Sequence, residues 1–404
     1  MSPTRKKNTV NEEGVIEVKK LLEALLSVKP AILQNQHFIP VLSFFCFSGG
    51  YVFAYNDTLA IASKYGSNML DGLALPDYFY DMLKASNVKS IKIQEVVDNV
   101  LKIRLGKALV KFPFLESNSF LFVPPPLEDY VPTYTLRVDP GFIDGVKDCL
   151  LNVIDDPTVP NQKGITLEVG WKGPDRRKAQ LYSTDNVTVT RCVTESIVKN
   201  KKGDDSEGSR VSCIIPKNFC VELVLLFKKV LEGNSLRLNI NDSFCWVTYK
   251  GVRTIFTKLV PLDGSIDFEA QVFVPFLKEG KVSYFNKEAV AKIQKAASRI
   301  KALQKYLVEG EQILDMLVRE GTVTVQSNQY KDKGNAHYKE RILLKKDIVS
   351  CSLSVSVLKL ERACQLCDSL GVCIVEGITV VIGKKEGHLH HVVSTAASQS
   401  ERKQ

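Results

Sequence analysis

No apolar run in this sequence approaches the ~18 residues that a membrane-spanning helix requires. Even Phe38–Phe47 is broken by Pro40 and Ser43. The opening MSPTRKKNTVNEEG lacks the apolar segment of a secretory leader and reads as a polar arm. A cytosolic chain without a membrane role is therefore expected. The phosphate-loop patterns G-x-x-x-x-G-K-[ST] and G-x-G-x-x-G do not occur, nor do the G-x-S-x-G elbow and the H-E-x-x-H zinc pair. Histidine is sparse, with 5 in 404 residues, which leaves little for acid–base chemistry. Asp155-Asp156 runs into Pro157 and reads as a turn, not as a metal-binding carboxylate pair. These absences argue against an enzyme, and no cofactor or metal is expected.

The 10 cysteines are scattered, and a chain of 404 residues buries enough core to need no disulfide framework. Cys364-x-x-Cys367, together with Cys373, His388, His390 and His391, offers a rival reading as a zinc-dependent enzyme. That cysteine pair lies on a helical face that itself needs burying, and no second Cys-x-x-Cys follows. Core cysteines are the favoured reading. Lys and Arg number 54 against 45 Asp and Glu, a formal net charge of +9 that suits a polyanionic partner without establishing one.

What the sequence does contain is internal repetition. Val52–Ala62 and Gln180–Thr190 each alternate apolar and polar residues around an Asx pair, Asn56-Asp57 in one and Asp185-Asn186 in the other. That pattern marks a hairpin with one buried face. Pro76–Lys84 and Pro216–Lys228 both read as helices opened by proline, with Ser354–Leu370 as a third. Ser90–Leu115 and Ser235–Leu259 align without a gap, placing Ser90 on Ser235 and Gly106 on Gly251. Leu370–Val393 is a weaker third copy. Each unit starts with a helix candidate: Val15–Val28, Pro140–Val153 and Lys287–Lys305. The expected organisation is an arm over 1–14, modules over 15–126, 133–262 and 270–396, and a tail over 397–404. The linkers are the rigid Pro124–Pro132 stretch and Leu262–Lys281, and Lys199–Arg210 is a polar surface loop.

Several segments resemble the bacterial DNA polymerase III beta sliding clamp family, in a divergent or phage-type form. Leu181-Tyr-Ser-Thr-Asp185 is similar to the family's strand ending in Thr-Asp, and Ile214-Ile-Pro-Lys-Asn-Phe219 to its strand-to-helix entry. Ile255-Phe-Thr-Lys-Leu-Val260 resembles the strand before its interdomain crossing. Ile39-Pro-Val-Leu-Ser43 resembles the first module's entry. The likeness implies an α+β chain of three similar clamp domains, each with two helices packed on antiparallel sheets. It implies a head-to-tail homodimer that closes a ring around double-stranded DNA, without sequence specificity, in a bacterial cytosol or a phage-infected host cell. It also implies partners, a DNA polymerase and a clamp-loader ATPase, that dock short peptide motifs. The chain departs from the family pattern in Asn186-Val187-Thr188-Val189 after the Thr-Asp, and in Val392-Val-Ser-Thr-Ala-Ala-Ser398 with a tail beyond. A β-rich assembly protein using the same repeat without DNA is the alternative.

Candidate site residues follow. Sliding needs cations aimed at phosphates rather than base edges. On Lys287–Lys305, Val290, Ile293, Ala297 and Ile300 share one face, and Lys292, Lys295 and Arg299 form a stripe away from it. Lys20, Lys84, Lys147, Lys217, Lys228, Lys359 and Arg362 are the corresponding cations of the other helices, more diluted by Asp and Glu. Arg5-Lys6-Lys7 reads as a solubilising terminus. Guided by the resemblance, a partner-peptide groove is expected at Thr184, Val187, Val189, Pro275, Val392 and Val393. A ring interface is expected between Val110 and Phe112 of one protomer and Ile300 and Leu303 of the other.

Overall fold

The computed structural model describes residues 15–33, 40–117, 131–154, 160–169, 177–200, 211–229, 236–307, 312–327, 337–344, 348–385 and 389–394. The expected arm, the tail, linker residues 124–130 and loop residues 201–210 lie outside them, as does His388. None of the described helices is long and apolar enough to cross a membrane.

One element order is written three times. The first copy runs β1 (Val15–Glu17), α1 (Val18–Val28), β2 (Phe44–Ser48), β3 (Tyr51–Tyr55), β4 (Ala60–Lys64), β5 (Leu73–Pro76), α2 (Tyr78–Ser86), β6 (Ser90–Val97), β7 (Val100–Leu105) and β8 (Ala108–Pro113), with a short β9 (Leu115–Glu116) after it. The second runs β10 (Tyr134–Val138), α3 (Pro140–Leu150), β11 (Gly164–Val169), β12 (Lys178–Thr184), β13 (Thr188–Asn200), β14 (Val211–Pro216), α4 (Lys217–Lys228), β15 (Leu236–Ile240), β16 (Phe244–Tyr249) and β17 (Arg253–Lys258). A π-helical segment, Glu269–Glu279, precedes the third. That copy runs β18 (Lys281–Tyr284), α5 (Lys287–Leu303), β19 (Ile313–Arg319), β20 (Thr322–Ser327), β21 (Lys339–Leu343), β22 (Cys351–Ser356), α6 (Val357–Leu366), β23 (Ser369–Val375), β24 (Ile378–Lys385) and β25 (Leu389–Ser394).

These elements fall into two compact units, Met1–Thr133 with Leu236–Lys258, and Tyr134–Ser235 with Leu259–Gln404. In the first unit β1-β6-β7-β8 form one antiparallel sheet. A second runs β15-β16-β17-β4-β3-β2-β5-β9. In the second unit the long sheet is β14-β11-β12-β13-β25-β24-β23-β18. β10 pairs with the far end of β13, and β21-β20-β19-β22 stand as a separate sheet. A rule emerges from the pairings. The eighth strand of one copy pairs with the fourth strand of the copy before it: β17 with β4, and β25 with β13. The eighth strand of the first copy, β8, and the fourth of the third, β21, are sheet edges among the described residues.

The hairpin repeat holds, with its register shifted by one residue. Asn56 Oδ1 accepts from the amides of Thr58 and Leu59, and Asp185 Oδ1 accepts from those of Val187 and Thr188. The equivalent left-handed residues are then Asp57 and Asn186, at φ 70 and 71. Both Asx side chains mimic a backbone turn, which is why a polar pair can close each hairpin. The turn glycines Gly106 and Gly251 match as expected, with φ 61 and 64.

Proline plays a different part than the sequence suggests at two positions. Pro76 and Pro216 end β5 and β14 instead of opening helices. Having no N–H to give, each closes a strand, and Pro216 stays extended at φ −55, ψ 145. Pro140 does open α3, behind Asp139, which accepts the Phe142 amide at 2.8 Å. Helices pack in pairs by copy, α1 with α2, α3 with α4 and α5 with α6. Phe79 of α2 meets Phe47 of β2 and Phe112 of β8 edge-on, at 6.5 and 5.0 Å between centroids, so this helix is sandwiched between two sheets. In α3 a Cβ on Gly145 would sit 3.2 Å from Leu181 and 3.3 Å from Cys192. A side chain there would require Leu181 or Cys192 to give by a few tenths of an ångström, so glycine suits the close approach of α3 to β12 and β13.

Candidate functional site

The helices present their cations outward. Burial of Ala289, Val290, Ile293, Ala296, Ala297 and Ile300 anchors α5, which leaves Lys292, Lys295 and Arg299 exposed on its other face. Acidic neighbours hold two of the three. Lys292 pairs with Glu288 at 2.9 Å, and Arg299 reaches Glu340 at 3.2 Å and the Tyr338 hydroxyl at 2.9 Å. Lys295 has no ion-pair partner among the described residues. Lys20 is exposed and pairs with Glu17 at 2.7 Å, and Lys147 with Asp144 at 2.8 Å. Lys84 lies over the Tyr80 ring, Lys228 is exposed and Lys217 is half-buried. Exposed pairs of this kind are screened by water and salt and exchange readily for a phosphate.

Lys359 and Arg362 do something else. Lys359 is ion-paired to Asp185, whose side chain is only 4% exposed, and Arg362 donates to the Leu151 carbonyl at 2.8 Å. Both cations thus tie α6 of the third copy to the second. A polar chain continues beneath them. Thr190 bonds His391 Nδ1 at 2.8 Å, and Asn152 donates to Thr190. Burial pushes the Asp185 carboxyl up, but hydrogen bonds from Lys359 and Thr188 outweigh it and hold the group below its usual range. Burial drives His391 down to about 4, keeping the imidazole neutral.

The residues expected to form a peptide groove divide between two faces. Val189 pairs with Val392 and Thr188 with Val393 across the β13–β25 seam. Val392 joins an apolar cluster with Tyr182, Phe268, Phe273, Val380 and Ile382, and Val189 packs against it. Val393 points the other way, into the core under α5 and α6, because adjacent strand residues face opposite sides. Thr184 is buried and bonds the Thr188 carbonyl, whereas Val187 at the turn is 40% exposed. Pro275 is half-buried within the π-helical segment.

That segment covers the cluster. Phe268 stacks on Tyr182 at 5.7 Å, Phe273 lies 5.9 Å from Tyr182, and the Arg191 guanidinium sits over Phe273 at 5.6 Å. Glu269 is 3.2 Å from both Arg191 and the Tyr182 hydroxyl, which also donates to Gln180 at 2.6 Å. Burial, then Glu168 and Glu269, push the Tyr182 phenol up, and burial with Arg191 and Lys384 lowers His390 to about 4. Sequence reasoning missed Tyr182, Arg191, Phe268, Glu269 and Phe273. The signal available was the aromatic density of 268–276 inside a stretch taken as linker.

The four ring-interface residues also separate. Phe112 and Ile300 are 1% and 0% exposed and fill the cores of their own copies. Val110 and Leu303 are half-buried, and Val110 lies on the edge strand β8. Burial raises the Cys364 and Cys367 thiols to about 12, the opposite of what thiolate ligands need. Among the described residues no group of three or more His, Cys, Asp or Glu is placed to hold a metal ion.

No protein-family model matches the chain, and no curated protein matches it. Solved structures do. The DNA polymerase III subunit beta from Pseudomonas aeruginosa aligns with a TM-score of 0.75 at 15% identity, covering 95% of this chain and 99% of that one. The Helicobacter pylori beta clamp bound to a DNA ligase peptide gives 0.71 at 15% identity with the same coverage. A Pseudomonas aeruginosa sliding clamp bound to griselimycin gives 0.72 at 15% identity, again with 95% and 99% covered. Over nearly its whole length this chain has the fold of a bacterial DNA polymerase III beta sliding clamp.

Proposed function

We propose that this protein is a DNA sliding clamp. Two copies close head to tail into a ring around double-stranded DNA and tether a replicative polymerase, and the ring catalyses no reaction. The modules are those of 15–126, 133–262 and 270–396. The observation that carries the reading is the strand-pairing rule. Eighth-to-fourth pairing occurs twice within the chain and leaves β8 and β21 as its two unused halves. A second copy supplies the missing partner for each, and closure removes the open edges that a β-rich protein must otherwise protect. Val110 and Leu303 then lie near the contact, while Phe112 and Ile300 support it from within.

Lys20, Lys84, Lys147, Lys217, Lys228, Lys292, Lys295 and Arg299 supply the diffuse positive charge that faces phosphates. Lys359 and Arg362 hold modules together instead. The hold on DNA is topological, which suits cations already half-satisfied by neighbouring carboxylates. Partner peptides from a polymerase and a clamp-loading ATPase dock at the β13–β25 seam. That peptides are partners at all is supported by the Helicobacter pylori clamp of the same fold, which is bound to a DNA ligase peptide. The protein works in the cytosol of a bacterium or a phage-infected cell.

The test is retention on nicked circular duplex after loading by a clamp-loading ATPase. The protein is expected to stay on the circle through gel filtration and to run off when the circle is linearised. Equal retention on both forms contradicts a ring and favours an ordinary binding protein.

A further inference from the structure

The face assigned to partner peptides is occupied by the chain itself. Val392, Tyr182 and Ile382 are 4%, 0% and 0% exposed, closed over by Phe268 and Phe273. We infer that Phe268–Leu277 is a displaceable strap that a short apolar peptide carrying a carboxylate must replace. This rests on the clamp reading for the identity of the partner, but not for the opening of the strap.

Three features make the segment separable from the sheet beneath it. Its two ends are fixed independently of its middle. The Ile266 amide donates to the buried Asn161 side chain at 2.7 Å. At the other end a Cβ on Gly280 would lie 2.5 Å from Cys373 Sγ, so the chain passes tightly there before β18. Between those anchors the backbone is of π type, closed by Gly280 N to the Pro275 carbonyl at 2.8 Å, and Pro275 has no amide to contribute. Wide turns of this kind bond poorly and are rarely sustained over several turns. Finally, among the described residues no backbone–backbone hydrogen bond joins Phe268–Leu277 to the strands beneath it. The Cys373 thiol donates to the Phe276 carbonyl at 3.4 Å. Segments held by few groups open locally well before the whole protein unfolds.

What the strap presents defines what can replace it. Phe268 offers a ring to the Tyr182 face, and Phe273 offers a second beneath Arg191. Glu269 offers a carboxylate to Arg191 and the Tyr182 hydroxyl. Arg191 Nε is buried and its N–H has no hydrogen-bond partner, so a replacing peptide can bring an acceptor to a donor that the strap leaves unused. Extended or helical peptides commonly dock in this manner, by a few apolar anchors with one or two polar fixes.

Two measurements on the full-length protein decide the matter. In hydrogen exchange, the amides of 270–279 are expected to exchange much faster than those of β12 and β13. Equal protection overturns the strap. In the second, a fluorescent peptide spelling Ile266–Glu279 is titrated against wild type and Glu269→Gln, a change that cuts the latch without touching the aromatic core. The variant is expected to bind this peptide about tenfold tighter, the effect of ~1.4 kcal/mol lost from the competing strap. A matching peptide with Gln in place of Glu is expected to bind the variant more weakly. Identical affinities for wild type and variant overturn the proposal. Neither assay involves DNA or ring closure. A failure of the clamp reading therefore shows in DNA retention, and a failure of the strap shows only here.

Discussion

Asp185 has two tasks at once. Its carboxylate closes the β12–β13 turn by accepting from Val187 and Thr188, and it holds Lys359 from a helix 174 residues further along the chain. Removing the lysine strands a buried charge, so Lys359→Met is expected to cost about 3 kcal/mol in urea unfolding. A cost below about 0.5 kcal/mol would mean that water solvates the carboxylate. The same region sets the acid response. His390 and His391 stay neutral to about 4 when folded, whereas the unfolded chain protonates them from about 6.5. Between those values the unfolded state binds more protons, so stability falls as pH falls through that window. Asp185 adds to the loss lower down. Its folded value is depressed, so its contribution is full above about 4 and disappears as the carboxylate is protonated. His391→Gln is expected to flatten the slope of unfolding free energy between pH 6.5 and 4. An unchanged slope would show that the native imidazole already takes the proton. The sequence made Asp185 legible as a turn residue because that role is local. Its ion pair was not legible, since spacing along a chain says nothing about a partner this distant.

At the level of elements, the sequence located all six α-helices of the described residues and the hairpins of the first two copies. Boundaries moved where proline was read as a helix opener but proved to end a strand. The fourth strand of the third copy escaped notice because no two-residue Asx turn joins β20 to β21; the connection runs from Ser327 to Lys339. The segment taken as a linker holds three phenylalanines between 268 and 276, and only the sheet beneath explains them. Val110 and Phe112 share one face of β8, but Val110 is half-buried and Phe112 is 1% exposed, so the two can be tested apart. Val110→Glu places a charge beside the strand edge and is expected to weaken self-association by about tenfold or more with little change in unfolding free energy. Phe112→Ala empties the space against Phe79 and is expected to cost about 3–5 kcal/mol of stability. Sedimentation equilibrium and urea titration of both variants check this contrast. If Val110→Glu unfolds the protein and leaves association intact, β8 is not the interface.

For the whole molecule, repetition was the decisive sequence signal, since three copies of one element order imply stacking through equivalent surfaces. The pairing that joins the copies could not be read, because backbone ladders leave no residue signature when both faces of a strand are buried. Charge behaves similarly. The stripe on α5 was legible from helical spacing, but the carboxylates that temper it come from outside the helix as well as within it. Changing Lys292, Lys295 and Arg299 together to Glu is expected to shorten retention on circular DNA while leaving the oligomer mass unchanged. The salt dependence of residual binding should become shallower by roughly 0.9 for each phosphate that is no longer neutralised. Unaltered retention would remove α5 from the DNA-facing surface. The central claim, closure of two chains through β8 and β21, is tested most directly by electron-microscope images of the purified protein at micromolar concentration. The account predicts closed rings of two chains, each contributing three similar lobes around an open centre. Single chains, or open strings of chains that never close, would contradict it.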